Sequence, residues 1–274
     1  MISKIAEALG LKNNPVAILW SNEAPTAAVQ FKAGRWGCVM SMMAAAAAQD
    51  KTAVFDRTTY GCWGGGVGLG FGNTYEAFPG GIEGFCSFLS DGNEKTEAGR
   101  AIGEAMVQNS GGARLAPDFL HGERYVKDPE TTRRFMAALP MQEIPARYVV
   151  VKPLSEVTDA EEPQSVTFFV PPHALSALVV LANHLHPEQE NVGIPYAAAC
   201  QVMGILSYRE AQKEHPRALV GLSDLSARRT VRPLLGDNAL SFTAPWQLFQ
   251  QMEDSVEGSF LGNELWEGLR ERVE

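Results

Sequence analysis

The chain has 274 residues, of which 45% are hydrophobic and 20% are charged, and its formal net charge is −9. This length and composition allow a large hydrophobic core in one large domain or two modest ones. The negative charge and the absence of a basic stripe argue against nucleic acid or an anionic membrane as the partner, because both require clustered Lys and Arg.

The N-terminal segment predicts a short amphipathic helix rather than a signal peptide. Residues 1–10 lack the charged lead, the continuous apolar stretch and the small-residue cleavage site of a secretory signal. No apolar run approaches the roughly 18 residues that span a bilayer. We therefore expect a cytoplasmic protein, in a reducing compartment where structural disulfides are unusual.

Hydrophobic periodicity predicts strands that alternate with helices. The predicted strands cover residues 15–20, 52–55, 147–153, 165–170, 217–222 and 239–245. The predicted helices cover residues 1–10, 39–49, 94–109 with Gly111 and Gly112 closing it, 173–184, a segment from about Pro195 to 213, and 246–256. The glycine-rich segment 60–72 predicts a loop. Because the connections are irregular and no linker or repeat appears, we expect a single α/β (or α+β) domain over residues 1–274, with a mixed β-sheet and flanking helices.

The four cysteines are Cys38, Cys62, Cys86 and Cys200, and none belongs to a CxxC pair. Cys38 starts the predicted helix 39–49, Cys62 opens the glycine-rich segment, and Cys200 lies about a turn and a half into its predicted helix. Helix N-termini lower the pKa of a thiol, and the thiolate is the form that binds metals or attacks electrophiles. Cys86, between two phenylalanines, is instead typical of a core residue.

The glycine-rich segment does not match a nucleotide-binding fingerprint. It lacks the Rossmann spacing and the Gly-Lys-Ser/Thr of a P-loop. Glycine also allows the backbone to approach a bulky group closely and to aim N–H donors at it, as happens around iron–sulfur clusters. We expect Gly61, Gly64, Gly65 and Gly66 to supply such an approach to a cofactor; the alternative is a flexible lid or a tight turn near the core.

Four thiolates suit either zinc or an iron–sulfur cluster. Structural zinc favours paired, closely spaced ligands, which makes zinc the weaker candidate here. If Cys86 only packs in the core, three ligands remain, and one iron of a cluster would be open to a substrate or an external ligand.

Two other classes of function stay open. Cys62 could be the nucleophile or redox thiol of a metal-free enzyme with a histidine as its base. Nothing in the sequence selects the base from the five candidates, His121, His173, His184, His186 and His215. The third class is a small-ligand-binding protein with buried structural cysteines, whose pocket would include Met40, Met42 and Met43.

Several short segments, in this order, resemble the prokaryotic family named for domain of unknown function 169. The segments cover residues 14–20, 23–25, 37–38, 60–65, 149–153, the turn 226–229, 240–246 and 259–266, and so span nearly the whole chain. The resemblance implies a bacterial or archaeal cytoplasmic protein with cysteines in its Gly-Cys elements, here Cys38 and Cys62. A cysteine in the later helix, here Cys200, is also similar to the family pattern.

The sequence therefore predicts a cysteine-ligated metalloprotein that carries a [4Fe–4S] cluster for electron transfer or redox chemistry. Its expected ligands are Cys38, Cys62 and Cys200, with Cys86 as the candidate for the fourth. The expected partner is a redox protein or a small molecule.

Overall fold

The structure, a computed structural model, describes residues 1–108, 112–184 and 186–270. Within these ranges the strands are β1 (Val16–Ser21), β2 (Ala53–Phe55), β3 (Tyr148–Pro153), β4 (Ser165–Val170), β5 (Val192–Gly193), β6 (Ala218–Gly221) and β7 (Leu240–Pro245). They form one sheet in the order β2-β3-β1-β4-β7-β6-β5, antiparallel except for the β5–β6 pair. The predicted α/β fold with a mixed sheet is confirmed.

All six predicted strands are present, and their ends differ from the prediction by at most one residue. These strands are rich in β-branched and aromatic residues and are bounded by turn residues, which is the pattern that favours a pleated, buried segment. The seventh strand, β5, has only two residues and gives no periodic signal.

The helices, in chain order, are α1 (Lys4–Leu9), α2 (Val39–Gln49), α3 (Trp63–Leu69), α4 (Gly81–Leu89), α5 (Glu97–Gln108), α6 (Ala116–His121), α7 (Pro129–Ala138), α8 (Pro172–Ala182), α9 (Ala199–Gln201), α10 (Ser207–Ala211), α11 (Leu225–Leu235), α12 (Trp246–Asp254) and α13 (Glu264–Arg270). The helix predicted over residues 39–49 matches α2, and the other predicted helices are present with shifted ends. Asn109 and Gly111, at the predicted end of α5, lie outside the described residues. Across the described parts of the chain, no helix combines the length and the apolar character that crossing a membrane requires.

The sheet separates two hydrophobic cores. In β1, Val16 and Ile18 belong to one core, while Ala17 and Leu19 belong to the other, because successive side chains of a strand point to opposite faces. The first core, which we call the cavity-side core, also contains residues of α2, α3, α4 and α9. The second, the opposite core, is covered by α1, α8, α12 and α13.

A long helical segment lies between the adjacent strands β2 and β3. It spans residues 56–147 and contains α3 to α7. Buried side-chain hydrogen bonds fix its internal turns; for example, the Asn93 amide donates to the carbonyls of Gly84 and Phe119 at 3.0 and 3.1 Å. The segment packs on the cavity-side core and thus covers one face of the sheet.

The glycine-rich segment was predicted to be a loop. This prediction is wrong in part, because the helix α3 forms within the segment. A glycine inside a helix costs up to about 1 kcal/mol relative to alanine, which is why the sequence favoured a loop. Here the glycines face neighbouring atoms closely: a Cβ on Gly65 would lie 2.3 Å from a Val39 methyl, and one on Gly66 would lie 2.6 Å from the Thr74 side chain. Because these glycines have no side chain, α3 packs closer to Val39 and Thr74 than a helix with larger residues at these positions could.

The helical path from α9 to α10 contains a π-helical turn, Val202–Leu206, which begins two residues after Cys200. The sheet contacts this wider turn: the Ser165 hydroxyl of β4 donates a hydrogen bond to the Met203 carbonyl at 3.0 Å. Such π-turns are rare and frequently lie at functional sites.

Candidate functional site

One cavity of about 360 Å³ lies between the cavity-side core and the helical segment 56–147. Its wall is largely apolar and includes eight aromatic residues: Trp36, Trp63, Tyr75, Phe78, Phe85, Phe88, Tyr125 and Tyr196. This size and composition are typical of pockets that bind small molecules or cofactors.

Three of the four cysteines, Cys38, Cys62 and Cys200, line this cavity. Cys38 is the N-cap of α2, as predicted, and Cys62 is the N-cap of α3, a helix in the segment that was predicted to be a loop. The Cys62 Sγ accepts a hydrogen bond from the Gly65 backbone N–H at 3.3 Å. Helix N-termini present unpaired N–H groups and a partial positive charge, which favour a negatively charged group nearby.

Cys200 is the second residue of α9, because this helix begins at Ala199 rather than near Pro195 as predicted. Its thiol donates a hydrogen bond to the Gly64 carbonyl at 3.4 Å. The Gly64–Gly65 peptide unit therefore contacts both Cys62 and Cys200, and it brings the start of α3 together with the start of α9.

Cys86 lies away from the cavity. It is fully buried in α4, and its sulfur is 3.8 Å from the Met136 sulfur of α7. The structure therefore brings together the other three predicted ligands and leaves Cys86 in the core.

Two glycines explain how the Cys38 and Cys62 segments meet. Gly37 packs against the ring of Phe31, where a Cβ would lie 2.3 Å from a ring carbon. Gly61 has a φ of +76° and lies on the same ring, and a Cβ there would be 2.4 Å from the Gly37 carbonyl oxygen. A side chain at either position would therefore separate the two Gly-Cys elements.

The four predicted cofactor-binding glycines occupy different surroundings. Gly61, Gly65 and Gly66 contact protein atoms closely, as described above. Gly64 lines the cavity, and the nearest atom to a Cβ built there would be the Tyr75 hydroxyl at 3.5 Å. Gly64 is thus the one of the four whose backbone a bound group could contact directly.

The thiols do not have the lowered pKa that their helix positions predict. Burial raises the pKa of Cys38 to about 12, and a charge on Cys62 would raise it further, while the Met40 N–H and the Thr230 hydroxyl act in the opposite direction. Burial also raises the pKa of Cys62 and that of Cys200. The three groups are therefore neutral thiols at neutral pH when no cation is bound, because desolvation exceeds the effect of the helix ends.

Asp224, which the sequence analysis missed, connects two of the helix starts. It is the N-cap of α11, accepting the Ala227 N–H at 2.7 Å, and it also accepts the Ala199 N–H of α9 at 2.7 Å. The segment 226–229 is accordingly part of α11 rather than the predicted turn. An Asp directly before the first residue of a helix is an N-cap signal, and the sequence does contain this signal at Asp224.

The outer part of the cavity contains a partly buried carboxyl group that no sequence motif indicated. Burial raises the pKa of Glu123 to about 7; its hydrogen bond with Ser226 and the charge of Arg229 lower it, and the charges of Asp118 and Asp224 raise it. Tyr125 lies beside it and accepts the N–H groups of Leu225 and Ser226, both at 3.0 Å.

A buried polar pair, Tyr75 and Gln201, completes the wall near the thiols. The Gln201 amide donates to the Tyr75 hydroxyl at 2.7 Å and accepts the Ala198 N–H at 3.2 Å. This fixes the phenol next to Gly64, with its own O–H hydrogen free to be donated.

None of the five predicted histidine bases lines the cavity in the described part of the chain. His121, for example, lies at the surface with its Nδ1 3.2 Å from a Glu94 carboxylate oxygen. In the same ranges, no group of three or more His, Cys, Asp or Glu side chains is placed so that it could hold a metal ion as it stands.

No curated protein and no solved structure matches the chain significantly. The sequence model of one family, DUF169, described as uncharacterised ArCR, matches residues 4–255, a range that contains all four cysteines and the cavity-lining residues. The chain therefore belongs to the DUF169 family, as the order of its short matching segments predicted.

Proposed function

We propose that this chain is a cytoplasmic iron–sulfur protein that holds a [4Fe–4S] cluster through Cys38, Cys62 and Cys200. Its role would be electron transfer or redox chemistry on a small molecule in the same cavity. The observation that carries the proposal is that three thiols from three separate helix starts line one cavity, whereas the fourth cysteine does not.

The electrostatics of the cavity support a thiolate-bound metal centre. Each of the three thiols is neutral when nothing is bound, because burial raises its pKa. A metal ion replaces the thiol proton and removes this penalty. The starts of α2, α3 and α9 then favour the resulting negative charge, since the partial positive charge of each helix is at that end.

The arrangement of the ligand side chains in the described residues favours a cluster over a single zinc ion. Zinc requires all of its ligand atoms within about 2.3 Å of one point. The described residues contain no such converging group, although all three thiols line the cavity. A cluster of several irons spans a larger distance, so each thiol can bind a different iron.

A set of three protein ligands also supports a role beyond electron transfer. With Cys86 in the core, one iron would face the rest of the cavity. An iron without a protein ligand can accept an oxygen or nitrogen atom of a substrate as a Lewis acid. The remaining cavity volume and the Tyr75 hydroxyl are the features that would hold such a substrate.

The alternative of a metal-free enzyme with Cys62 as nucleophile has less support. Burial raises the pKa of Cys62, which disfavours the reactive thiolate. Its expected histidine base does not line the cavity among the described residues, so a carboxyl group such as Glu123 would have to replace it.

The test is an anaerobic purification followed by an absorption spectrum and assays of iron, zinc and sulfide. We expect a broad band near roughly 400 nm and about four irons and four sulfides per chain. Replacing Cys38, Cys62 or Cys200 with alanine should reduce the band and the iron content. Cys86→Ala is the matched control, because it removes the same group from outside the cavity, and it should retain the full iron content.

A colourless protein without iron after attempted reconstitution would overturn the proposal. Loss of iron in Cys86→Ala, with retention in Cys200→Ala, would assign the ligands differently. If the metal-free protein instead reacts with one equivalent of iodoacetamide at Cys62 near neutral pH, the metal-free enzyme becomes the better account.

A further inference from the structure

The outer part of the cavity contains a carboxylate without a cation partner. Among the described residues, no Lys, Arg or His nitrogen forms an ion pair with the Glu123 carboxylate within 4.0 Å; the charge of Arg229 acts on it from further away, while Arg229 itself pairs with Asp118. The two neighbouring carboxylates have stronger partners: Asp118 has Arg229 at 3.4 Å, and Asp224, also without a cation within 4.0 Å among the described residues, accepts two backbone N–H groups at 2.7 Å. A partly buried carboxylate without a partner is unfavourable, and a cationic ligand would remove that penalty.

Hydrogen bonds hold the backbone on both sides of this carboxylate in a fixed position. The Glu123 N–H donates to the Phe88 carbonyl at 2.8 Å, and the Tyr125 N–H donates to the Leu89 carbonyl at 3.0 Å. On the other side, the Tyr125 hydroxyl accepts two backbone N–H groups at the start of α11. Residues 123–125 are thus tied to α4 and to α11, and the site needs little rearrangement to bind a ligand.

Aromatic rings lie beside the carboxylate. The rings of Tyr125 and Tyr196 meet edge to face, with their centroids 6.4 Å apart, and Trp36 also lines the cavity. Tyr196 and Trp36 are 45% and 38% exposed, which places them where the cavity opens to solvent. A carboxylate together with exposed aromatic faces is the combination that binds organic ammonium groups.

We propose that the outer part of the cavity binds a small organic cation, with its ammonium group at Glu123 and its apolar, preferably aromatic, body against the inner wall. The inner wall offers the rings of Phe78, Phe85 and Phe88 to that body. This inference deepens the proposed function, because it names the class of substrate that would reach the thiols. Only the reaction of this cation at the thiols rests on the proposed function; its binding at Glu123 does not.

Two further properties are in agreement with an organic cation. Burial raises the pKa of Glu123 to about 7, and a bound ammonium group would lower it again. The net charge of −9 also favours the approach of cations over anions.

The test uses four probes that share one ring: benzylamine, benzyltrimethylammonium, benzyl alcohol and benzoate. Binding to the full chain is measured by isothermal titration calorimetry at pH 8, where Glu123 is ionised and benzylamine is protonated. We expect both cations to bind at least about tenfold more tightly than benzyl alcohol, which is the size of effect that one charged contact provides, and benzoate to bind least.

Variants separate the charge from the aromatic contact. Glu123→Gln should remove the preference for the cations, while Glu104→Gln, the same change on the exposed face of α5, should leave it unchanged. Tyr196→Leu should weaken both cations several-fold, and Tyr196→Phe should not. Because Tyr196 is half exposed, both of these variants should remain folded.

Equal binding of benzyl alcohol and the two cations would overturn the inference, as would binding of benzoate in preference, or no binding of any probe. The titrations are made with the metal-free and the reconstituted protein. Cation binding that depends on Glu123 in a protein that takes up no iron would support this inference and exclude the proposed cluster. A cluster-containing protein that binds none of the probes would support the proposed cluster and overturn this inference.

Discussion

At the residue scale, burial decides the chemistry of this cavity. Cys38, Cys62 and Cys200 occupy helix starts that ordinarily stabilise a thiolate, yet burial raises the pKa of all three. The same effect acts on the Glu123 carboxyl group. The cavity thus keeps its three thiols neutral until a partner is bound, which is the state expected of a site for a metal centre.

Glu123 gives a pH-dependent prediction for stability. Its pKa is raised from 4.5 to about 7 in the folded chain, so between these values the folded state holds a proton that the unfolded state has lost. The free energy of unfolding therefore falls as the pH rises through this window. Glu123→Gln removes this loss. From pH 4.5 to pH 8 the free energy of unfolding of the variant should therefore rise by about 2 kcal/mol relative to that of the wild type, after allowance for partial exposure.

The measurement is urea denaturation of both proteins at pH 4.5, 6 and 8. The control, Glu104→Gln, changes an exposed carboxylate and should follow the wild-type curve. Parallel curves for Glu123→Gln and the wild type would show that the carboxyl group titrates normally and is not desolvated.

At the scale of elements, the site depends on how closely α3 approaches the helix that contains Cys200. A Cβ on Gly204 would lie 1.9 Å from the Gly68 carbonyl oxygen, and one on Gly68 would lie 2.8 Å from the Cys200 carbonyl carbon. These glycines allow backbone-to-backbone contact between α3 and the π-helical turn. The hydrogen bond from Cys200 to Gly64 is made across the same contact.

Gly204→Ala should therefore damage both the fold and the site. The added methyl group must separate the two helices, and we expect a loss of about 1–3 kcal/mol in the free energy of unfolding. Because Cys200 moves away from Cys62, the iron content after reconstitution should fall as well. Both quantities are measured on the same preparation, by urea denaturation and by iron assay.

Gly268→Ala is the matched control, since a Cβ there meets no atom within 4 Å. In the interior of α13 alanine is favoured over glycine, so stability should stay the same or rise by up to about 1 kcal/mol. A Gly204→Ala variant with wild-type stability and iron content would show that the contact between the helices is not required.

The strands were predictable from the sequence, whereas much of the helical segment was not. The strands are short apolar runs bounded by turn residues, and this signal is local. By contrast, α4, α6 and α7 were missed, because contacts from distant residues stabilise them, such as the Asn93 amide with the carbonyls of Gly84 and Phe119. Local propensity does not contain that information.

The site was predictable in part for the same reason. Cys38 and Cys62 each follow a glycine, and this local pattern singled out two residues that both line the cavity. Asp224 had an N-cap signal, but nothing showed that its carboxylate also reaches α9. Glu123 has no local signal at all, because it becomes a site residue only when the segment 123–125 packs against α11.

At the scale of the whole molecule, the sheet divides the chain into a functional layer and a supporting layer. The cavity and its thiols lie on the cavity-side core, and the opposite core contains none of the residues that line the cavity. Trp266 of α13 belongs to the opposite core, lies beyond the family match, and is only 3% exposed. Its indole N–H donates to the Ala8 carbonyl of α1 at 2.9 Å, which joins the two ends of the described chain.

Trp266→Ala should lower the free energy of unfolding by about 3 kcal/mol without changing the site. The change removes a large buried side chain and leaves a cavity in the opposite core. Effects at sites that share no contacts are usually additive, so the affinity for benzyltrimethylammonium and the iron content should equal those of the wild type at temperatures where the variant is folded. Leu265→Ala, at a neighbouring position that is 76% exposed, is the control and should change neither quantity. If Trp266→Ala lowers the affinity or the iron content of the fully folded protein, the sheet does not isolate the two layers, and α13 contributes to the geometry of the cavity through it.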